Sequence, residues 1–93
     1  MNDYSNAIKA AETMHFCGML KKNSYIPING TETSGFPTSC LIGDTYRVID
    51  AGVYGGHTCE PGDILICIKD SAKGDTINSA TYWASIQNNI GGT

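Results

Sequence analysis

The stretch Cys59-Glu60-Pro61-Gly62-Asp63-Ile64-Leu65-Ile66-Cys67-Ile68-Lys69 decides the fold. Glu60-Pro61-Gly62-Asp63 has Pro at the second and Gly at the third position of a type II turn, where Pro presets φ and Gly accepts a positive one. From Ile64 to Ile68 no polar residue then falls on either side of a pleat. Such a strand must be covered on both faces, so the sequence predicts a central buried strand here. The same Cys-x-x-Gly-Asp pattern occurs nineteen residues earlier, in Cys40-Leu41-Ile42-Gly43-Asp44, directly before Thr45-Tyr46-Arg47-Val48-Ile49-Asp50. There Tyr46 and Val48 share one face while Thr45 and Arg47 share the other, the alternation of a half-buried strand. Gly43, Asp44, Gly62 and Asp63 are therefore read as structural turns at two strand starts, each Asp accepting hydrogen bonds from free backbone N–H groups.

Outward from these two strands the pattern stays short and punctuated. Ala51-Gly52-Val53-Tyr54-Gly55-Gly56 supplies a reversal, residues 70–79 read as a polar loop, and Thr81-Tyr82-Trp83-Ala84-Ser85-Ile86-Gln87 as a last strand. Upstream, Phe16, Gly18 and Leu20 occupy alternate positions of a first strand, with a close backbone approach expected at the glycine. Residues 21–42 hold Pro27, Gly30, Gly35 and Pro37 and read as a long connection with one edge strand. Tyr4, Ala7, Ile8, Ala11 and Met14 recur at three- and four-residue intervals behind Asn2 or Asp3 as N-cap, which predicts one short N-terminal helix. Tyr4, Ile8, Ala11 and His15 also step as a coiled-coil seam does. The expected fold is all-β, a small antiparallel β-sandwich or partly open barrel of five to seven strands with that helix in front. Residues 1–12 are the helical connector, 13–90 the compact β domain and 91–93 an exit toward a following segment.

Ninety-three residues form one domain whose modest core would gain from oligomerisation. A net charge of −3 with six basic residues offers no stripe to neutralise phosphates, which argues against nucleic acid and anionic membrane surfaces as partners. No apolar run approaches a membrane span, and the start lacks the basic and then apolar regions of a signal peptide, so a soluble chain made in the cytosol is expected.

On that expectation Cys17, Cys40, Cys59 and Cys67 are reduced thiols. His15-Phe16-Cys17 and His57-Thr58-Cys59 are both His-x-Cys, and two such pairs could assemble a tetrahedral zinc site if the segments adjoined. There is no Cys-x-x-Cys knuckle, no paired acid and base by spacing and no glycine-rich phosphate loop, so neither cofactor, metal nor catalytic residue is expected. Tyr54, Tyr82 and Trp83 are the candidate contacts for a partner or glycan, with one of the adjacent pair Tyr82 and Trp83 facing the core and the other facing out.

Phe16-x-Gly18, Gly43-Asp44-Thr45-Tyr46-Arg47-Val48, Ala51-Gly52-Val53-Tyr54-x-Gly56 leading into Cys59-Glu60-Pro61-Gly62-Asp63-Ile64-Leu65-Ile66, and Trp83-x-x-Ile86-Gln87-x-Asn89-Ile90-x-Gly92 follow one another in order. In that series the chain resembles a segment of tail-fibre and related virion proteins of tailed bacteriophages and prophages. It departs at Cys17, where a basic residue is expected, and at Gly91, where an Asp is expected. The resemblance implies a non-enzymatic structural module of a virion appendage, assembled in the host cytoplasm as a homotrimer. Its implied partners are neighbouring tail proteins and, for host attachment, a surface glycan. The alternatives are a carbohydrate-binding module of a secreted or cell-surface protein and, more distantly, a zinc-stabilised interaction domain.

Overall fold

A computed structural model describes residues 14–87. These carry eight strands and no helix: β1 (His15–Lys21), β2 (Ser24–Pro27), β3 (Thr33–Ser34), β4 (Asp44–Val48), β5 (Gly52–Tyr54), β6 (His57–Cys59), β7 (Ile64–Cys67) and β8 (Trp83–Ile86). Six form one sheet in the order β3-β2-β1-β4-β7-β8, and β5 and β6 form a separate hairpin. The all-β expectation is met. The N-terminal helix with its seam, and the boundaries at 12/13 and 90/91, lie outside the described residues.

The antiparallel expectation needs correction at one pairing. β1 and β4 run parallel, so the large sheet is mixed. The reason lies in the connection of residues 22–43, which spends β2 and β3 on one side of β1 and is then long enough to return the chain to β1's starting end. The strand count also exceeds five to seven, because residues 21–42 contribute two strands rather than one.

The pairing of β1 with β4 shifts register between Phe16 and Gly18, leaving Cys17 as the inserted residue. The bulge separates Phe16, which is exposed, from the inward-facing Gly18 and Leu20, so the single alternating face expected for β1 is broken. A Cβ on Gly18 would collide with the Ile26 carbonyl oxygen of β2, and this close approach accounts for the glycine.

One face of the sheet and the hairpin enclose the main core, with Trp83 at its centre. The indole is 1% exposed, donates Nε1–H to the Ile77 carbonyl at 2.8 Å, and meets Phe36 and Tyr46 edge-on at ring separations of 5.7 and 5.8 Å. β7 is covered on both sides, as its composition requires: Leu65 and Cys67 belong to the main core, Ile66 and Ile68 to a smaller cluster with Ile42 and Ala84 behind the sheet.

Three turns share one construction. In Leu41–Asp44, Glu60–Asp63 and Ala72–Asp75 the Asp N–H donates to the carbonyl three residues back at 2.9, 3.0 and 3.0 Å. The Asp carboxylate in turn accepts that same residue's N–H at 3.0, 2.8 and 2.8 Å. The glycine before each Asp has φ of 100°, 96° and 89°, as the third position of a type II turn demands. The first two are the turns read from Cys-x-x-Gly-Asp; the third lacks the cysteine.

Candidate functional site

The three aromatic residues expected to contact a partner do not form a platform. Trp83 is sealed in the core, and Tyr54 is 6% exposed, with its hydroxyl donating to the Asp50 carbonyl at 2.8 Å. Both fill space between sheet and hairpin, which a domain this small cannot leave empty. Only Tyr82 reaches the surface. Its hydroxyl donates to Asp75 Oδ2 at 2.8 Å, a bond that raises its pKa, and the Lys69 ammonium lies 5.2 Å from its ring centre.

The four cysteines form no disulfide with one another. Cys40 and Cys67 are buried neighbours that share the Lys69 carbonyl as acceptor, at 3.6 and 3.0 Å. The adjacent Cys67 sulfur and burial push the Cys40 thiol far above its ordinary range. Cys59 is fully buried, and burial raises its pKa too. Inert packing thiols have this character.

The two His-x-Cys pairs go separate ways. His57 stands on the small hairpin with Nε2 2.8 Å from the Trp83 carbonyl, while the Cys59 sulfur turns to the His57 carbonyl. His15 and Cys17 instead meet Asp44, and these are the three potential metal donors that gather within 4.8 Å of one another among the described residues. The parallel pairing sets His15 directly opposite Asp44. His15 Nε2 lies 2.6 Å from Asp44 Oδ1, and the imidazole side chain is 57% exposed against 14% for the carboxylate. Oδ2 of the same carboxylate accepts the Leu41 amide of its turn. Burial raises the Cys17 thiol above its ordinary value, a backbone hydrogen bond at Thr45 opposes this, and the Asp44 charge adds to the rise.

The order of these groups decides which chemistry they suit. A nucleophilic relay places histidine between thiol and carboxylate, so that imidazole takes the thiol proton. Here Asp44 is the hydrogen-bond neighbour of both His15 and Cys17, and the thiol is held protonated rather than activated. The geometry fits a set of metal donors, N, S and O, better than a catalytic triad. In the sequence His15 and Cys17 were visible as a same-face pair, whereas Asp44 was visible only as a turn residue.

Comparison with known protein families, curated proteins and solved structures finds no match to this chain.

Proposed function

We propose that the chain is a non-enzymatic structural module of a phage tail fibre or related virion appendage, acting as a homotrimer whose copies meet on the back face of the six-stranded sheet. The observation that carries the self-association is the composition of that face, while the virion role is supported by the resemblance in the ordered motifs. Cross-strand partners share a face, so the register defines two rows across the sheet: Phe16, Thr45, Ile66 and Ala84, then Ile26, Met19, Arg47, Ile64 and Ile86. Seven of these nine residues are apolar, yet Phe16 is 46% and Ile86 41% exposed. A half-covered apolar sheet on a chain with a small core favours burial against further copies of itself. The number three comes from the resemblance in the ordered motifs, as do neighbouring tail proteins as partners and a contribution to host attachment.

Light scattering on the intact chain at micromolar concentration tests the proposal, with a trimer expected. Phe16→Asp combined with Ile86→Asp should dissociate it while leaving the circular dichroism spectrum intact, because both side chains are exposed within one copy. A monomeric wild type would overturn the trimer. A trimer untouched by the double substitution, but loosened by Ile8→Asp, would move the contact to the N-terminal seam.

A further inference from the structure

We propose that His15, Cys17 and Asp44 form a binding site for a divalent transition-metal ion, with zinc the best match. Imidazole nitrogen, thiolate sulfur and carboxylate oxygen are the three donor types that zinc takes together, commonly with water in the remaining position. The donor atoms lie within 4.8 Å of one another. Around tetrahedral zinc, with metal–ligand bonds of about 2.0–2.3 Å, neighbouring donors stand roughly 3.3–3.8 Å apart. Binding therefore asks the donors to part at the 2.6 Å contact of His15 Nε2 with Asp44 Oδ1, which the metal would replace, and to close by up to about 1–1.5 Å where they stand furthest apart. His15 is the exposed member and can swing outward, and its exposure also gives the ion access.

The surroundings hold the other two donors in place. Asp44 commits Oδ2 to the Leu41 amide and keeps Oδ1 on the side of His15, the outer hydrogen bonding that orients a ligating carboxylate. The Cys17 thiol is turned to the His15 carbonyl at 3.8 Å, at the same strand end. The β-bulge makes Cys17 the inserted residue beside the start of β4. Binding would displace the thiol proton to solvent, and the resulting thiolate would be neutralised by the metal rather than left beside Asp44. This inference is independent of the trimer: it needs residues of one copy only.

The test uses the full chain, stripped with a chelator and titrated with cobalt(II) as a spectroscopic substitute for zinc. One equivalent should produce a thiolate-to-cobalt charge-transfer band, which zinc then abolishes by displacement. Cys17→Ser should eliminate the band, and His15→Ala should weaken binding on the order of tenfold or more. Asp44→Asn, which keeps an acceptor for the Leu41 amide, should weaken it as well. Circular dichroism checks that each variant is folded. Peptide mapping after iodoacetamide treatment gives a second readout, with zinc slowing alkylation of Cys17 in the wild type. No charge-transfer band in the wild type, a band that survives Cys17→Ser, or alkylation unaffected by zinc would overturn the proposal.

Discussion

Gly55 and Gly74 both have positive φ, at 54° and 89°, yet the structure predicts different costs for replacing them by alanine. An alanine at φ near +55° costs about 1–2 kcal/mol relative to a right-handed residue, and one at Gly74 costs at least as much because 89° lies further from the left-handed well. At Gly74 the new methyl meets nothing within 4 Å. At Gly55 it would lie 2.7 Å from both Cγ and Cδ1 of Trp83 and 2.9 Å from its Cβ. The indole cannot retreat, since Nε1 is bonded to the Ile77 carbonyl and the ring is wedged between Phe36 and Tyr46. Overpacking of a filled core adds about 1–3 kcal/mol. Gly55→Ala should therefore lose about 2–5 kcal/mol and Gly74→Ala about 1–2 kcal/mol. With a urea dependence of about 2 kcal/mol per molar, the Gly55 variant should unfold roughly 1 M earlier than the Gly74 variant. Urea titrations followed by tryptophan fluorescence would measure both midpoints. Equal midpoints, or a later one for Gly55→Ala, would refute the claim that Trp83 is immobilised against the hairpin turn.

Leu65, with no exposed surface, should lose about 2–5 kcal/mol on truncation to alanine, as the residual cavity adds to the lost transfer energy; an unchanged melting temperature would contradict the burial of the core-facing side of β7. Asp75 is held below its ordinary pKa, first by the Ala72 amide and then by the Tyr82 hydroxyl. A depressed folded-state pKa contributes stability that is present above the unfolded value and lost as pH falls through the folded one, so the contribution should fade below about pH 4. Thermal melts across that range should show a shallower acid decline for Asp75→Asn than for the wild type, and parallel curves would remove Asp75 from the acid response.

Much of the fold was legible where local sequence alone decides the structure. Ile64 to Ile68 admit no solvent face, and Pro61-Gly62 admits one turn type, so β7 and its approach could be placed from the residues. The parallel partnership of β1 and β4 could not, because a connection of residues 22–43 permits either direction and tertiary packing chooses. The bulge at Cys17 is hidden for the same reason: an inserted residue is defined only against a partner strand. Alternation showed that Tyr82 and Trp83 point opposite ways without showing which points inward. That choice changes how a glycan role must be probed, since Trp83→Ala would remove the centre of the core, at about 3–5 kcal/mol. Tyr82→Ala is the substitution that tests surface contact.

The third turn falls outside the Cys-x-x-Gly-Asp pattern because it lacks the cysteine, although Ala72-Lys73-Gly74-Asp75 needs only glycine and aspartate to close in the same way. The three turns together separate what local sequence determines from what the fold adds. In each, glycine sets the backbone and the carboxylate closes the turn on an amide, a solution complete within four residues. What else the carboxylate meets is fixed elsewhere. Asp63 is carried into the interior at 3% exposure, Asp75 receives the Tyr82 hydroxyl, and Asp44 receives His15, with Cys17 beside it. His15 reaches Asp44 only because β1 lies parallel to β4 in this register; an antiparallel pairing would set the end of β1 opposite that turn. The mixed sheet is thus the condition for a nitrogen, a sulfur and an oxygen donor to converge, and the topology that local sequence could not specify is what gives a common turn residue its candidate chemistry.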